Sequence, residues 1–359
     1  AGMQLQLVVS GAHLSPDQGE TCKQIEADGF TIDAKVPMDL DDDSGLGLAR
    51  AMGQELAGVA EALDALKSDI LVVLGDRYET FIAATAAMML RIPIAHIHGG
   101  EVTEGAIDDA MRHAISKMAH LHFTAAELYR QRVIQMGENP GQVFNVGAPG
   151  LEAIKRTALL NREGLALDLG FSLDGTVFVI TYHPETLGER DPVADVDKLL
   201  QALDRFLDAR LIITKANADI HGRAINARLE DYAAQRQGRV YLTASLGQLR
   251  YYSAVSIADA VIGNSSSGII EAPTLGTPTV NIGDRQKGRL SGSSVLHCDV
   301  SANDIAQTIA QALSHDVQDL ARTSESLYGG GNTSAKIVSV LKKQNYDFLL
   351  EKSFYDCAN

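Results

Sequence analysis

Residues 261–273 read VIGNSSSGIIEAP, an apolar strand that runs without a break into three serines and a glycine and then into a helical pattern. Where a strand leads directly into a helix, the first backbone N–H groups of that helix, and any hydroxyls beside them, face whatever lies beyond the sheet edge. Ser265, Ser266, Ser267 and Gly268 occupy that place and form a candidate phosphate cradle. Glu271 follows about one turn later, within reach of a ribose hydroxyl pair, the task an acidic side chain performs in dinucleotide sites. A plain helix cap would account for Asn264 and Ser265 taken alone. The next strand favours an anion instead, because GDRQKGR (283–289) follows it and brings Arg285, Lys287 and Arg289 to the same sheet edge. The stretch reads as a pyrophosphate site, built without a GxxxxGK[ST] loop and with no GxGxxG after the first strand.

The same strand-to-helix step recurs outward from this stretch. Apolar runs at 5–9, 69–74, 92–97, 142–146, 176–181, 210–214, 260–263 and 277–282 are separated by helix-length segments. Apolar strands alternating with helices imply an α/β fold with parallel sheets covered on both faces and ligands beyond the carboxyl ends of the strands. The alternation lapses between 150 and 175 and then restarts. A chain of 359 residues with 45% hydrophobic content exceeds what one core accommodates. Two Rossmann-like, doubly wound domains are therefore expected, at 1–165 and 166–345, with a tail at 346–359.

Composition removes several functions. A net charge of -15 disfavours nucleic acid, since an acidic surface repels phosphate backbones. No apolar run approaches the ~20 residues of a membrane span. Cys22, Cys298 and Cys357 lie far apart without zinc-type spacing, which suits free thiols in a reducing, cytoplasmic setting. His96, His98, His113, His120 and His122 raise the thought of a metal, but packing explains them as well, and no metal is expected.

The first half offers proton-transfer groups. GDRYE places Asp76, Arg77 and Glu79 after one strand, and HIHGGEVTEGAIDDAMRH places His98, Glu101, Asp108, Asp109, Arg112 and His113 after the next. Carboxylates and imidazoles delivered to one edge can be held in different protonation states, which suits acid/base work. Asp108 and Asp109 are also what the start of any helix favours. In the second half, His183 follows a strand and precedes a proline, and TKANADIHGR adds Lys215, Asn217, Asp219 and Arg223 after the following strand.

Ten ordered motifs, GDRYE, HIHGGE, DDAMRH, MGENPGQVFNVGAPGL, TYHPET, TKANADIHGR, SLGQLRYYSAV, GNSSSGIIEAP, GTPTVNIGDRQKGR and GGGNTS, resemble the hydrolysing UDP-N-acetylglucosamine 2-epimerases of bacterial sialic- and legionaminic-acid synthesis over nearly the whole chain. The resemblance implies a glycosyltransferase-B type fold, with the active site in the cleft between domains, and a homodimer or homotetramer that uses no cofactor. By motif, Asp76 and Asp108 are candidate acid/base residues, and His183 would lie near the diphosphate. Ser265, Ser266 and Glu271 would hold the phosphates and ribose. Arg77, Arg112, Asn217, Asp219, Ser267, Gly268, Arg285 and Arg289 complete the expected substrate contacts. Some relatives carry glutamate where this chain has His98, so the role at that position falls to His98 or to Glu101.

The nucleotide, UDP or GDP, and any change at C4 or C6 of the sugar stay open. A retaining glycosyltransferase of the same fold would differ by requiring an acceptor, a metal-dependent hydrolase by its sensitivity to a chelator, and a nucleotide-sugar sensor by lack of turnover. The family also begins with a strand and a Gly-Thr-Arg motif that the sequence does not display. Roughly 20 to 30 preceding residues, one strand and helix, are therefore expected. Intact mass of the natural protein is expected to exceed 38.4 kDa, and a match to that value would overturn the expectation.

Overall fold

The computed structural model describes every residue except 1, 17–18, 43, 105, 186–189, 218–220 and 358–359. Contacts divide the chain into unit 1, residues 1–102, 107–152 and 328–359, and unit 2, residues 103–106 and 153–327. The break falls before residue 165 because the segment ahead of that position already packs with unit 2. Leu165 shares an apolar cluster with Val177, Val179 and Ile212. The last residues return to unit 1, where Ile337, Leu341 and Leu349 cluster with Ala95, Leu121 and Phe123.

Unit 1 contains β1 (Val8–Ser10), α1 (Cys22–Ala27), β2 (Ala34–Val36), α2 (Gly45–Leu66), β3 (Leu71–Leu74), α3 (Tyr78–Met89), β4 (Ile94–Ile97), α4 (Asp108–Met118), β5 (Leu121–Thr124), α5 (Glu127–Gln135) and β6 (Val143–Asn145). Helix α6 (Pro149–Arg156) spans the sequence division. Strands β3-β4-β5-β6 form one parallel sheet and β1-β2 another, and among the described residues no ladder joins them. β4 and β5 are buried along their length, whereas Val72 and Leu74 of the edge strand β3 are 44% and 55% exposed.

Unit 2 contains α7 (Arg162–Leu169), β7 (Val177–Thr181), α8 (Pro192–Leu203), β8 (Arg210–Thr214), α9 (Gly222–Ala234), β9 (Val240–Thr243), α10 (Gly247–Ile257), β10 (Ala260–Gly263), α11 (Ser266–Thr274), β11 (Thr279–Ile282), β12 (Val295–Cys298), α12 (Ala302–Ala312) and α13 (His315–Thr323). The chain re-enters unit 1 as α14 (Thr333–Leu341). In β7, Phe178 and Ile180 enter one core cluster while Val177 and Val179 enter another, because successive side chains of a strand point to opposite faces. Both faces are covered, so every residue of β7 is buried and the strand reads as a continuous apolar run. The order β12-β11-β10-β7-β8-β9, parallel throughout, winds outward from β7 one way and from β10 the other. Neighbouring strands wound in opposite directions open a crevice beyond their carboxyl ends.

Several histidines weighed for metal binding are structural in this fold. His96 is fully buried, with Nε2 against the Gly75 carbonyl at 2.8 Å and Nδ1 against the Ser116 hydroxyl at 3.1 Å. His122, its partner in the β4–β5 register, meets Glu138 at 3.0 Å. Glu138 also accepts from Lys117 at 2.5 Å and from Lys352 of the returning segment at 2.7 Å. Burial opposes its charge, but these donors outweigh burial and hold the Glu138 carboxyl at about 2. Among the described residues no group of three or more His, Cys, Asp or Glu is placed to hold a metal ion.

Burial pushes His96 down to about 3 and His120 to about 4. Below the ordinary histidine value of about 6.5 the unfolded chain therefore takes up protons that the folded chain refuses, and these two groups cost stability as pH falls. Glu55 runs the other way, because burial lifts its carboxyl to about 7. A variant comparison isolates one group. His120→Asn is expected to lose unfolding free energy on acidification less steeply than the parent, by about 1.4 kcal/mol per pH unit between roughly pH 6 and 4.5. Urea unfolding at several pH values checks this, and parallel curves would refute it.

Candidate active site

In unit 1 the site is organised around a buried guanidinium. Asp108 and Asp109 open α4, where the helix dipole favours carboxylates, and the next turn carries Arg112 into the interior, 2% exposed. Its Nη2 donates to the Asp76 carboxylate, and its Nη1 donates to the Glu101 carbonyl at 3.1 Å and to Asp109 Oδ1 at 3.3 Å. One side chain thus ties together the end of β3, the loop after β4 and the start of α4. The sequence groups Arg112 with the substrate contacts, and the structure brings its donors to Asp76, Asp109 and the Glu101 carbonyl.

His98 follows β4 in the left-handed region, at φ 69, a conformation costly for a side-chain-bearing residue and concentrated at functional sites. Its Nδ1 lies 2.5 Å from Glu101 Oε1, and Glu101 is buried. A carboxylate can only accept, so Nδ1 carries a proton toward it, and in the neutral ring this leaves a lone pair on Nε2. The two residues left as alternatives by the sequence form one pair. Two residues further, Gly100 has φ 80, and a Cβ there would stand 2.4 Å from the Tyr129 carbonyl, so this loop requires glycine. Asp108 is buried beside this loop's end, and His113 Nε2 is 3.5 Å from Asp109. Arg77 lies over the Tyr78 ring at 4.6 Å and 3.6 Å from Glu79.

In unit 2 the described residues singled out by sequence follow β7, β8, β10 and β11, and the winding reverses between β7 and β10. Gly263 closes β10 at φ 138, and a Cβ would stand 1.9 Å from the Thr181 carbonyl of β7. Asn264, fully buried, then clamps the His183 backbone from both sides, accepting its N–H at 2.7 Å and donating to its carbonyl at 2.8 Å. The Asn217 N–H donates to His183 Nδ1 at 3.2 Å. That bond leaves the ring proton of neutral His183 on Nε2, as a donor.

Ser265 caps α11 and accepts the Ser267 N–H, while Ser266 is the first helical residue. Ser267 pairs through its hydroxyl with Tyr251. Gly268 serves packing, since a Cβ there would stand 2.8 Å from Thr279 Cγ2. Glu271 lies close enough to Tyr252 that its charge joins burial in pushing that phenol up to about 12. Arg285 and Gln286 both donate to the Asn264 carbonyl, at 3.3 and 2.8 Å. Lys287 and Arg289 line a cavity of about 600 Å³ beyond β11 and β12. Lys215 is taken up by Glu230 at 2.5 Å, and Arg223 is the second residue of α9. Asp219 lies outside the described residues.

A family model described as UDP-N-acetylglucosamine 2-epimerase matches residues 1–342. The chain belongs to the UDP-N-acetylglucosamine 2-epimerase family. It is 41% identical over 355 residues to GDP/UDP-N,N'-diacetylbacillosamine 2-epimerase (hydrolyzing) of Campylobacter jejuni, across 99% of this chain and 92% of that protein. It is 34% identical over 344 residues to UDP-N,N'-diacetylbacillosamine 2-epimerase (hydrolyzing) of Legionella pneumophila, across 94% and 88%. Among solved structures it resembles a UDP-N-acetylglucosamine 2-epimerase of Neisseria meningitidis bound to UDP-GlcNAc, at TM-score 0.72 and 18% identity, covering 95% of this chain and 100% of that one. The two-domain, glycosyltransferase-B type fold is thereby established, and the chain is a 2-epimerase of the hydrolysing class.

Within this epimerase-family chain, the sequence pattern presents Asn264 as a helix cap and does not single out Gln286 or Tyr251. A buried asparagine directly after a buried strand is the available signal, because such a side chain must find partners. Arg112→Leu is expected to destabilise unit 1 by about 3 kcal/mol, since it strands the carboxylates that the guanidinium holds. Urea denaturation measures the loss, and an unchanged midpoint would refute the organising role.

Proposed function

We propose that the enzyme acts on a UDP- or GDP-linked 2-acetamido sugar, either UDP-N-acetylglucosamine or its 2,4-diacetamido-trideoxy analogue, in the making of a sialic- or legionaminic-type acid. The Arg112-centred cluster carries this reading. Epimerisation at C2 by elimination and hydration needs one group to remove a proton and another to return it on the opposite face. The cluster supplies Asp76, Asp108 and the His98–Glu101 pair. In an α-linked sugar the C2 hydrogen lies anti to the leaving group. A base takes that proton as the C1–O bond breaks, the nucleoside diphosphate departs with the bonding pair, and a glycal remains. Water then adds hydroxyl to C1 while an acid protonates C2 from the other face.

Unit 2 is assigned the nucleotide. Ser265, Ser266 and the first N–H groups of α11 take phosphate oxygens, Glu271 takes the ribose, and His183 Nε2–H with Arg285, Lys287 and Arg289 meets the charge that grows on the leaving diphosphate. Fixed donors of this kind favour the transition state because their interactions strengthen as charge develops. The chemistry calls for neither nicotinamide nor metal. The reading extends to a cytoplasmic homodimer or homotetramer; the free thiols of Cys22, Cys298 and Cys357 support the compartment, and family resemblance supports the assembly.

Proton NMR in deuterated water with each nucleotide sugar tests the proposal. The expected products are the nucleoside diphosphate and a free sugar inverted and deuterated at C2. Asp76→Asn and Asp108→Asn should each lower kcat by roughly 10² to 10⁴. Release of a sugar with its C2 hydrogen and configuration intact would overturn the epimerase chemistry.

A further inference from the structure

The basic loop after β11 is pinned at two points by residues of neighbouring strand ends. At its start, the Asp284 N–H donates to Glu185 Oε1 at 2.9 Å. Gly283 just before it has φ 72, and a Cβ there would stand 2.4 Å from the same carboxylate oxygen. Further along, Arg285 and Gln286 donate to the Asn264 carbonyl, and the Asn264 side chain holds both backbone groups of His183. Glu185 lies two residues beyond His183, so the hydrogen bonds close a ring through the loops after β7, β10 and β11.

Glu185 is itself held in place. Arg190 Nη2 donates to its Oε2 at 2.5 Å, Arg190 Nε donates to Asp195 at 3.1 Å, and the Glu185 side chain is 8% exposed. A carboxylate beside a loop meant for a diphosphate opposes the ligand by charge alone. Its presence is accounted for by geometry. It accepts a backbone N–H that fixes the loop, while Arg190 offsets its charge. Cations fixed before the ligand arrives lose less conformational freedom on binding it.

We propose that Glu185 is a positioning residue for the diphosphate: it sets residues 283–289 so that Arg285, Lys287 and Arg289 stand ready as one arrangement. The proposal rests on the nucleotide assignment made above for unit 2. Because Glu185 acts on the loop, its removal should weaken whatever the phosphates contribute and leave the nucleoside contribution alone.

Calorimetric titration of the full chain with UDP and with uridine reads that difference as a ratio of affinities, with GDP and guanosine used in the same way if they bind more tightly. Glu185→Ala is expected to lower the diphosphate-to-nucleoside ratio on the order of tenfold, the worth of one charge-assisted hydrogen bond. Glu185→Gln keeps an oxygen for the Asp284 N–H and should stay within about threefold of the parent. Gly283→Ala presses on the same carboxylate from the other side and should reproduce the loss; it decides the matter if the Glu185→Ala protein does not fold. An unchanged ratio in folded Glu185→Ala or Gly283→Ala, or an equal loss for nucleoside and diphosphate, would overturn the positioning role. A parent ratio near one for both nucleotides would instead overturn the nucleotide assignment and the proposal with it.

Discussion

No side chain fits at the end of β10, and unit 2 depends on that. With a Cβ at Gly263 placed 1.9 Å from the Thr181 carbonyl, only glycine lets β10 finish so close against β7. That approach brings the Asn264 N–H to Thr181 and the Asn264 side chain to the His183 backbone. The crevice beyond the two strands is therefore walled by backbone held in fixed positions, and the helix cap at Ser265 follows one residue later. A methyl group at residue 263 would have to move a central strand, in a sheet whose faces are both filled.

The two units hold charge by different means. Unit 1 buries Arg112 among carboxylates, an arrangement in which lost hydration offsets much of the attraction, so its gain lies in fixed geometry more than in stability. Unit 2 buries Arg285 against the Asn264 carbonyl, keeps Lys287 at the surface, and fixes the loop that carries both through the Glu185 carboxylate and the Gln286 amide.

The parallel fold and the strand ends were legible because buried strands announce themselves as apolar runs and ligands in such sheets lie where the runs stop. The apolar run at 210–214, for example, is observed without change as β8. Three of the described strands escaped. β2 has only three residues, and β9 and β12 are short and only partly buried. The placement of the candidate residues just after strand ends was legible for the same reason as the strands. The burial of Arg112 and the hold of Asn217 on His183 were not, because each depends on which strand ends become neighbours, whereas the pairing of His98 with Glu101, three residues on, follows the left-handed turn at His98. Local spacing does not carry that information. The return of the chain to unit 1 was hidden likewise, since α14 reads as an ordinary amphipathic helix whatever it covers.

That return gives the protein an order of biogenesis. Residues 153–327 form an uninterrupted insert that can be completed as it is made, whereas the four-stranded sheet of unit 1 needs residues 328–359 to cover Ala95, Leu121 and Phe123. At ordinary translation rates the 175 residues between these parts occupy the ribosome for roughly ten to thirty-five seconds. Through that interval the nascent unit 1 carries an uncovered apolar face and the bare edge of β3, so it is the unit most in need of shelter while the chain is being born.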